Sequence, residues 1–170
     1  MGSPSDRVHP LRTAVRHLAS ERHFGQFERV RGSEVVDLLH ALDAHGVEGI
    51  VEGGWGVDAL VGHELRSHKD VDLVVRLSDV PTLLEVLEER GFRLAGGAPP
   101  NGFVCKTASG SAVDVRPVTF DADGRARYRA ESGDEHVYAA DAFGAHGIIE
   151  GTAVRCLTPA AQMLTHLGYE

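Results

Sequence analysis

The sequence predicts an α/β (α+β) domain in which a mixed β-sheet is packed with helices. Three observations carry this expectation. Apolar residues recur at helical spacing in Val35, Val36, Leu38, Leu39 and Leu42, and again in Val80, Leu83, Leu84 and Leu87. Short apolar runs at residues 47–51 and 71–77 alternate with those helices, as strands do. Ser109-Gly110 separates two strand-like stretches, 103–108 and 111–120, and reads as the turn of an antiparallel hairpin. A chain of 170 residues is long enough to bury one continuous core.

The elements follow in order. Residues 1–32 read as an N-terminal extension, a solvated lead-in with Leu11, Val15 and Leu18 at helical spacing after Pro10. The main domain spans 33–170. Ser33 is the expected N-cap of the first helix and Gly46 its stop. A strand over 47–51 leads into the Gly53-Gly54 turn and a helix over 55–61. After the strand at 71–77, Ser78 or Asp79 caps a helix that Gly91 ends. A short strand at 92–95 and a turn-rich loop at 96–102 precede the hairpin. Residues 121–141 are polar and read as short strands and loops. A late strand at 153–157 feeds a last helix opened by Thr158 as N-cap and Pro159 at its first position.

Charge and composition restrict the function. Residues 1–32 carry six arginines against three acids, whereas the remainder carries eleven basic and twenty-two acidic residues. An acidic body argues against a nucleic-acid substrate, whose phosphates need a positive surface, and would suit a cationic small molecule. Acidity also serves plain solubility. No apolar run reaches the length of a membrane span and no signal-peptide core is present, so a cytoplasmic protein is expected. Cys105 and Cys156 lie far apart without metal-ligand spacing and read as free buried thiols.

The chemistry gathers between Gly53 and Val75. Asp70 and Asp72 alternate with apolar Val71 and Leu73 at the start of a strand. Strand side chains alternate faces, so both carboxylates project from one face, their Cα atoms roughly 6–7 Å apart. Like charges so placed repel, and a divalent cation with a taste for hard oxygen ligands, Mg²⁺, removes that cost. Asp114 sits between Val113 and Val115 on a strand that could lie alongside, where it would ligate metal or accept a proton. A partner role toward Arg116 is the plainer alternative. Gly53 and Gly54 lie about sixteen residues before the aspartates and open a helix, so their backbone N–H groups can cup phosphates. Arg66, His68 and Lys69 stand just before the aspartates and could neutralise phosphate charge, though a solvated basic turn reads the same way. A glycine pair alone is more often a simple turn, and a lone Asp-x-Asp more often a solvated loop. Together, in this order, they describe a nucleotidyl-transfer site. Zinc is excluded, because His63 and His68 have no further clustered ligands.

The stretches Gly53-Gly54-Trp55-Gly56-Val57-Asp58-Ala59-Leu60 and Arg66-Ser67-His68-Lys69-Asp70-Val71-Asp72-Leu73 resemble the small antibiotic nucleotidyltransferases. These are the lincosamide and aminoglycoside-2″ types within the polymerase-β-like nucleotidyltransferase superfamily. Residues 113–120, Cys156-Leu157-Thr158-Pro159 and the ending His166-Leu167-Gly168-Tyr169-Glu170 resemble the lincosamide branch too, so the likeness runs from Ser33 to the C-terminus. Arg116 stands where that branch often has histidine. The resemblance implies the nucleotidyltransferase fold and a Mg²⁺-dependent enzyme with two ions on Asp70, Asp72 and Asp114. Its co-substrate would be ATP or another NTP, and AMP would pass to a hydroxyl of an aminoglycoside or lincosamide as pyrophosphate leaves. It also implies acceptor contacts from Tyr128, Glu131, Asp134, Glu135 and His136. The relatives usually continue beyond the position of Glu170, so the expected acceptor pocket is either incomplete or completed by a partner subunit, as in a homodimer. Two readings of other kinds stay open: a regulatory or antitoxin-type protein of this fold with little turnover, and nucleotidylation of a protein or tRNA end.

Overall fold

The computed structural model describes residues 29–130 and 132–166. The helix expected around residues 11–18 lies outside them. Among the described residues the order is α1 (Gly32–Ala44), β1 (Ile50–Glu52), α2 (Gly53–Val61), β2 (Asp70–Arg76), α3 (Val80–Glu89), β3 (Arg93–Gly97), β4 (Phe103–Lys106), β5 (Ala112–Phe120), β6 (Ala126–Arg129), β7 (Glu135–Tyr138), β8 (Ala145–Ile149), β9 (Thr152–Cys156) and α4 (Pro159–His166). Short 3₁₀ turns at Leu77–Asp79 and Ala140–Phe143 join β2 to α3 and β7 to β8.

The strands form one mixed sheet in the order β3-β4-β5-β2-β1-β9-β8, with β6 continuing from β5 and β7 pairing β6. β2 and β5 run parallel and β1 and β2 antiparallel. The hairpin expected around Ser109-Gly110 is present, with Phe103 opposite Val115 and Lys106 opposite Ala112. Period-two alternation divides each central strand between two faces. Val71, Leu73 and Val75 of β2 and Val113 and Val115 of β5 are buried in the larger core, together with Leu38, Leu39 and Leu42 of α1 and Leu83 and Leu87 of α3. The opposite face carries Asp70, Asp72 and Val74 of β2 and Asp114, Arg116 and Val118 of β5. Only its far end is apolar, where Ile50, Val74 and Val118 join Tyr138, Phe143 and Leu157 in a second cluster. Burying one face therefore leaves the carboxylates together on the other.

Several boundaries differ from expectation for local reasons. α1 starts at Gly32 rather than after Ser33, because Glu34 Oε2 accepts the Arg31 N–H at 2.7 Å and closes the first turn two residues earlier. The first strand is shifted to Ile50–Glu52 and includes a charged residue that an apolar run cannot announce. α2 begins at Gly53, whose φ of +63° makes the whole strand-to-helix turn in one residue. β8 was not expected as a strand. Gly147 at its centre weakens the signal, yet the glycine is what lets α2 lie on the strand, since a Cβ there would stand 2.4 Å from the Ala59 backbone. Cys105 and Cys156 are free and buried, and burial raises both thiol pKa values. Among the described residues no helix is long and apolar enough to cross a membrane.

The close seat of α2 on β8 gives a test. Gly147→Ala should cost about 1–3 kcal/mol in urea unfolding, because the backbone it meets cannot yield as a flexible side chain would. Gly144→Ala, whose new methyl would come no nearer than 3.8 Å to any atom, should stay within about 0.5 kcal/mol of wild type. Equal stabilities of the two variants would contradict this packing.

Candidate active site

Strand register assembles the site. Glu52 of β1 is the Cα partner of Asp72 in β2, and Asp72 is the partner of Asp114 in β5. Three carboxylates thus stand in one row across three strands, with Asp70 two residues along on the same face. Arg116 lies one step down the same face of β5. Its Nη1 donates to Glu52 Oε1 and, at 3.2 Å, to Asp72 Oδ1. Glu52 is 1% exposed and also accepts the Tyr138 hydroxyl at 3.1 Å. A buried charge of this kind needs such partners.

The electrostatics follow from burial and proximity. Burial raises the pKa of Glu52 despite Arg116, and the neighbouring Asp72 adds to the rise. Asp72 is raised first by burial, then by the charges of Asp114 and Asp70, with Arg116 opposing. Asp114 is raised by burial and by Asp70, again against Arg116. Burial alone would lower the Arg116 pKa, but Glu52, Asp72 and Asp114 together outweigh it, so the guanidinium stays charged. Tyr138 is pushed up by burial and by Glu52, which keeps its hydroxyl a donor.

The glycine pair closes one side of the row. A Cβ on Gly53 would sit 2.1 Å from Asp72 Oδ2, and one on Gly54 would sit 2.3 Å from the His68 ring. Only glycine permits this approach. His68 is itself buried, with Nε2 at 2.6 Å from Asp58 Oδ2 and its ring centroid 4.9 Å from that of Trp55. The His68 carbonyl accepts the Val30 N–H at 2.9 Å. Imidazole, turn and carboxylates are therefore one packed unit.

A cavity of about 820 Å³ opens over this unit, within the size range of small-molecule sites. Gly53, Gly54, Arg66, His68, Asp70, Asp72 and Asp114 all line it, so these sequence-derived candidates come together. Lys69 is exposed and does not line it. Of the acceptor candidates, Tyr128 and His136 line the cavity and stack on each other at 5.8 Å. Glu135 pairs with Arg127, and Asp134 accepts the Ser132 hydroxyl in a turn, both away from the cavity lining. Glu131 lies outside the described residues. Sequence reasoning missed Glu52, Tyr138 and the pairing of Asp58 with His68. The one signal for Glu52 was its place directly before the glycine pair. Tyr138, sixty-six residues beyond Asp72 in the chain, gave none.

The donor set suits a hard divalent cation. It is all oxygen, carries more negative charge than Arg116 offsets, and is held apart only by mutual repulsion. Among the described residues no three His, Cys, Asp or Glu side chains are already drawn together at metal-ligand spacing. Asp72 turns one oxygen to Arg116 instead.

These shifts fix a sign for pH dependence. Glu52, Asp72 and Asp114 bind protons more readily in the folded chain than in the unfolded one. Their contribution to stability is therefore fullest below the ordinary carboxylate range and is lost as pH rises through the raised values. In buffer free of divalent cations the melting temperature should fall as pH rises above the ordinary carboxylate range, and Asp72→Asn should make that fall shallower. A wild-type slope no steeper than that of the variant in scanning calorimetry would contradict the assignment.

Comparison with known proteins places this arrangement. The sequence profile of the family described as aminoglycoside-2''-adenylyltransferase matches residues 34–170. A lincosamide resistance protein of Staphylococcus haemolyticus is 27% identical over 141 residues, which are 83% of this chain and 87% of that one. The crystal structure of the lincosamide antibiotic adenylyltransferase LnuA with lincomycin bound has a TM-score of 0.73 and 25% identity, over 84% of this chain and 90% of the other. ANT(2")-Ia in complex with adenylyl-2"-tobramycin shares the fold at a TM-score of 0.67 and 22% identity, over 81% of this chain and 75% of its own. With its family profile spanning the carboxylate row, the glycine pair and the last helix alike, the chain belongs to the aminoglycoside-2''-adenylyltransferase family and is a nucleotidyltransferase.

Proposed function

We propose that this nucleotidyltransferase moves AMP from ATP to a hydroxyl of an antibiotic, with Mg²⁺ as its cation and the cytoplasm as its place of action. The observation that carries the reading is the in-register row Glu52, Asp72, Asp114 beside the Gly53–Gly54 turn, in a single cavity. Backbone N–H groups of the turn bind the β- and γ-phosphates, and Arg66 and His68 flank them. Asp70 and Asp72 hold the divalent cation, which when bound neutralises phosphate charge and polarises the α-phosphorus. Asp114, the register partner of Asp72, accepts the proton of the acceptor hydroxyl. The acceptor oxygen then bonds to the α-phosphorus as the bond to the bridging oxygen breaks, and pyrophosphate leaves.

The cavity wall away from the carboxylates bears on the acceptor. Tyr128, His136, Val137, Tyr138 and Leu164 give it an aromatic and aliphatic character, with Asp141 as its one carboxylate among the described residues. Several clustered acids would suit a polycationic aminoglycoside, whereas this wall suits an amphiphile with few positive charges. Of the two antibiotic classes, the lincosamides fit it better.

Incubation with ATP, Mg²⁺ and a panel of lincosamides and aminoglycosides should yield, by mass spectrometry, an antibiotic heavier by one AMP unit, foremost among the lincosamides. Asp114→Asn should lower kcat by roughly 10²–10⁴-fold while leaving the circular dichroism spectrum unchanged. An inert panel together with AMP labelling of a protein or RNA would overturn the acceptor assignment. Undiminished turnover by Asp114→Asn would overturn the proton-transfer role.

A further inference from the structure

We propose that the Arg116 guanidinium is a built-in substitute for one of the two cations of the site, so that the nucleotide-bound protein takes up a single divalent ion. The inference rests on the nucleotidyl-transfer reading and concerns what this chain's own residues leave for metal.

The Arg116 side chain reaches from β5 across the carboxylate row as far as Glu52 on β1. One nitrogen, Nη1, serves both Glu52 Oε1 and Asp72 Oδ1, and Arg116 sits one step from Asp114 on the same face of β5. It is therefore shared by two of the three carboxylates in register and lies close to the third. The other Asp72 oxygen, Oδ2, is turned toward Gly53. Asp70, by contrast, is exposed at the end of β2 and lines the cavity, and Arg116 is bonded to neither of its oxygens among the described contacts. Positive charge is thus already supplied at the Glu52–Asp72–Asp114 end and is still needed at the Asp70 end.

The guanidinium cannot easily step aside for a second ion. Glu52 is 1% exposed, and its remaining partner is the neutral Tyr138 hydroxyl. Withdrawal of Arg116 would leave a buried, uncompensated carboxylate, the costliest state open to such a pair. Two metal ions in such sites stand about 3.5–4 Å apart. A fixed cation 3.2 Å from Asp72 Oδ1 stands beside a carboxylate that two ions would have to share, and it repels the second of them. The charge of Arg116 does not titrate, so the substitution holds at every working pH.

The test counts ions. Mn²⁺ is titrated, with electron paramagnetic resonance reporting free ion, into protein saturated with an ATP analogue carrying a methylene bridge between the α- and β-phosphorus. Wild type should bind one Mn²⁺ per bound nucleotide. The double variant Glu52→Gln/Arg116→Met, which removes both members of the buried pair and keeps an acceptor for Tyr138, should bind two. Two ions on wild type overturn the proposal alone, as does a folded double variant still limited to one. Failure of the analogue to bind wild type would overturn the nucleotide reading and this inference with it. The wild-type count decides the matter even if the double variant does not fold.

Discussion

Repulsion among carboxylates in register is the constraint around which this protein is arranged. Glu52, Asp72 and Asp114 are opposite one another on adjacent strands, where like charges destabilise a sheet. Two side chains relieve that cost: the Arg116 guanidinium, two residues past Asp114 on β5, and the Tyr138 hydroxyl from β7, which donates to Glu52. The larger core supplies the anchorage. Val71, Leu73, Val113 and Val115 are almost wholly excluded from solvent, so the strands cannot slip by one residue without turning valines outward and aspartates inward. Burial of one face thereby holds the charges together on the other, and on the proposed reading the residual negative charge draws in a cation with its nucleotide.

The same logic explains the glycines. Gly53 and Gly54 do more than turn the chain from β1 into α2. The absent side chains are the space into which Asp72 and the His68 ring are packed. The Asp58–His68 pair and Trp55 then hold that ring from behind, which ties the phosphate turn to the helix following it. Turn, imidazole and carboxylate row form a single rigid first layer, while the wall opposite, carrying Tyr128, His136 and Leu164, belongs to shorter and more exposed elements. If the proposed function holds, the rigid layer is the phosphate and cation end and the wall the acceptor end, the division expected of enzymes that share one reaction across different acceptors.

Much of this was legible from the sequence, and the parts that were not share a cause. Period-two alternation around Asp70, Asp72 and Asp114 revealed their common face, and the glycine pair revealed the turn. Both signals are local. Helices α1 and α3 were legible from their apolar stripes, and the hairpin from Ser109-Gly110. Glu52 was hidden because a charged residue ending an apolar run looks like the exit of a strand rather than a buried member of it. Its burial depends on Arg116 and Tyr138, sixty-four and eighty-six residues away. β8 was hidden because Gly147 interrupts its pattern, for a reason visible only when α2 is laid against it. Glu135 and Asp134 looked like acceptor contacts by position, whereas Arg127 and Ser132 engage them locally. Tertiary pairing, invisible at the level of spacing, decided the cases of Glu52 and β8.

The central claim is that this face of the sheet exists to hold a divalent cation against a triphosphate. A crystal structure with Mn²⁺ and a non-hydrolysable ATP analogue, phased to locate the manganese by its anomalous signal, tests that most directly. The account predicts manganese ligated by Asp70 and Asp72 and bridged to phosphate oxygens, with the triphosphate lying along the Gly53–Gly54 backbone. A nucleotide seated elsewhere on the fold, or manganese away from those two carboxylates, would contradict it.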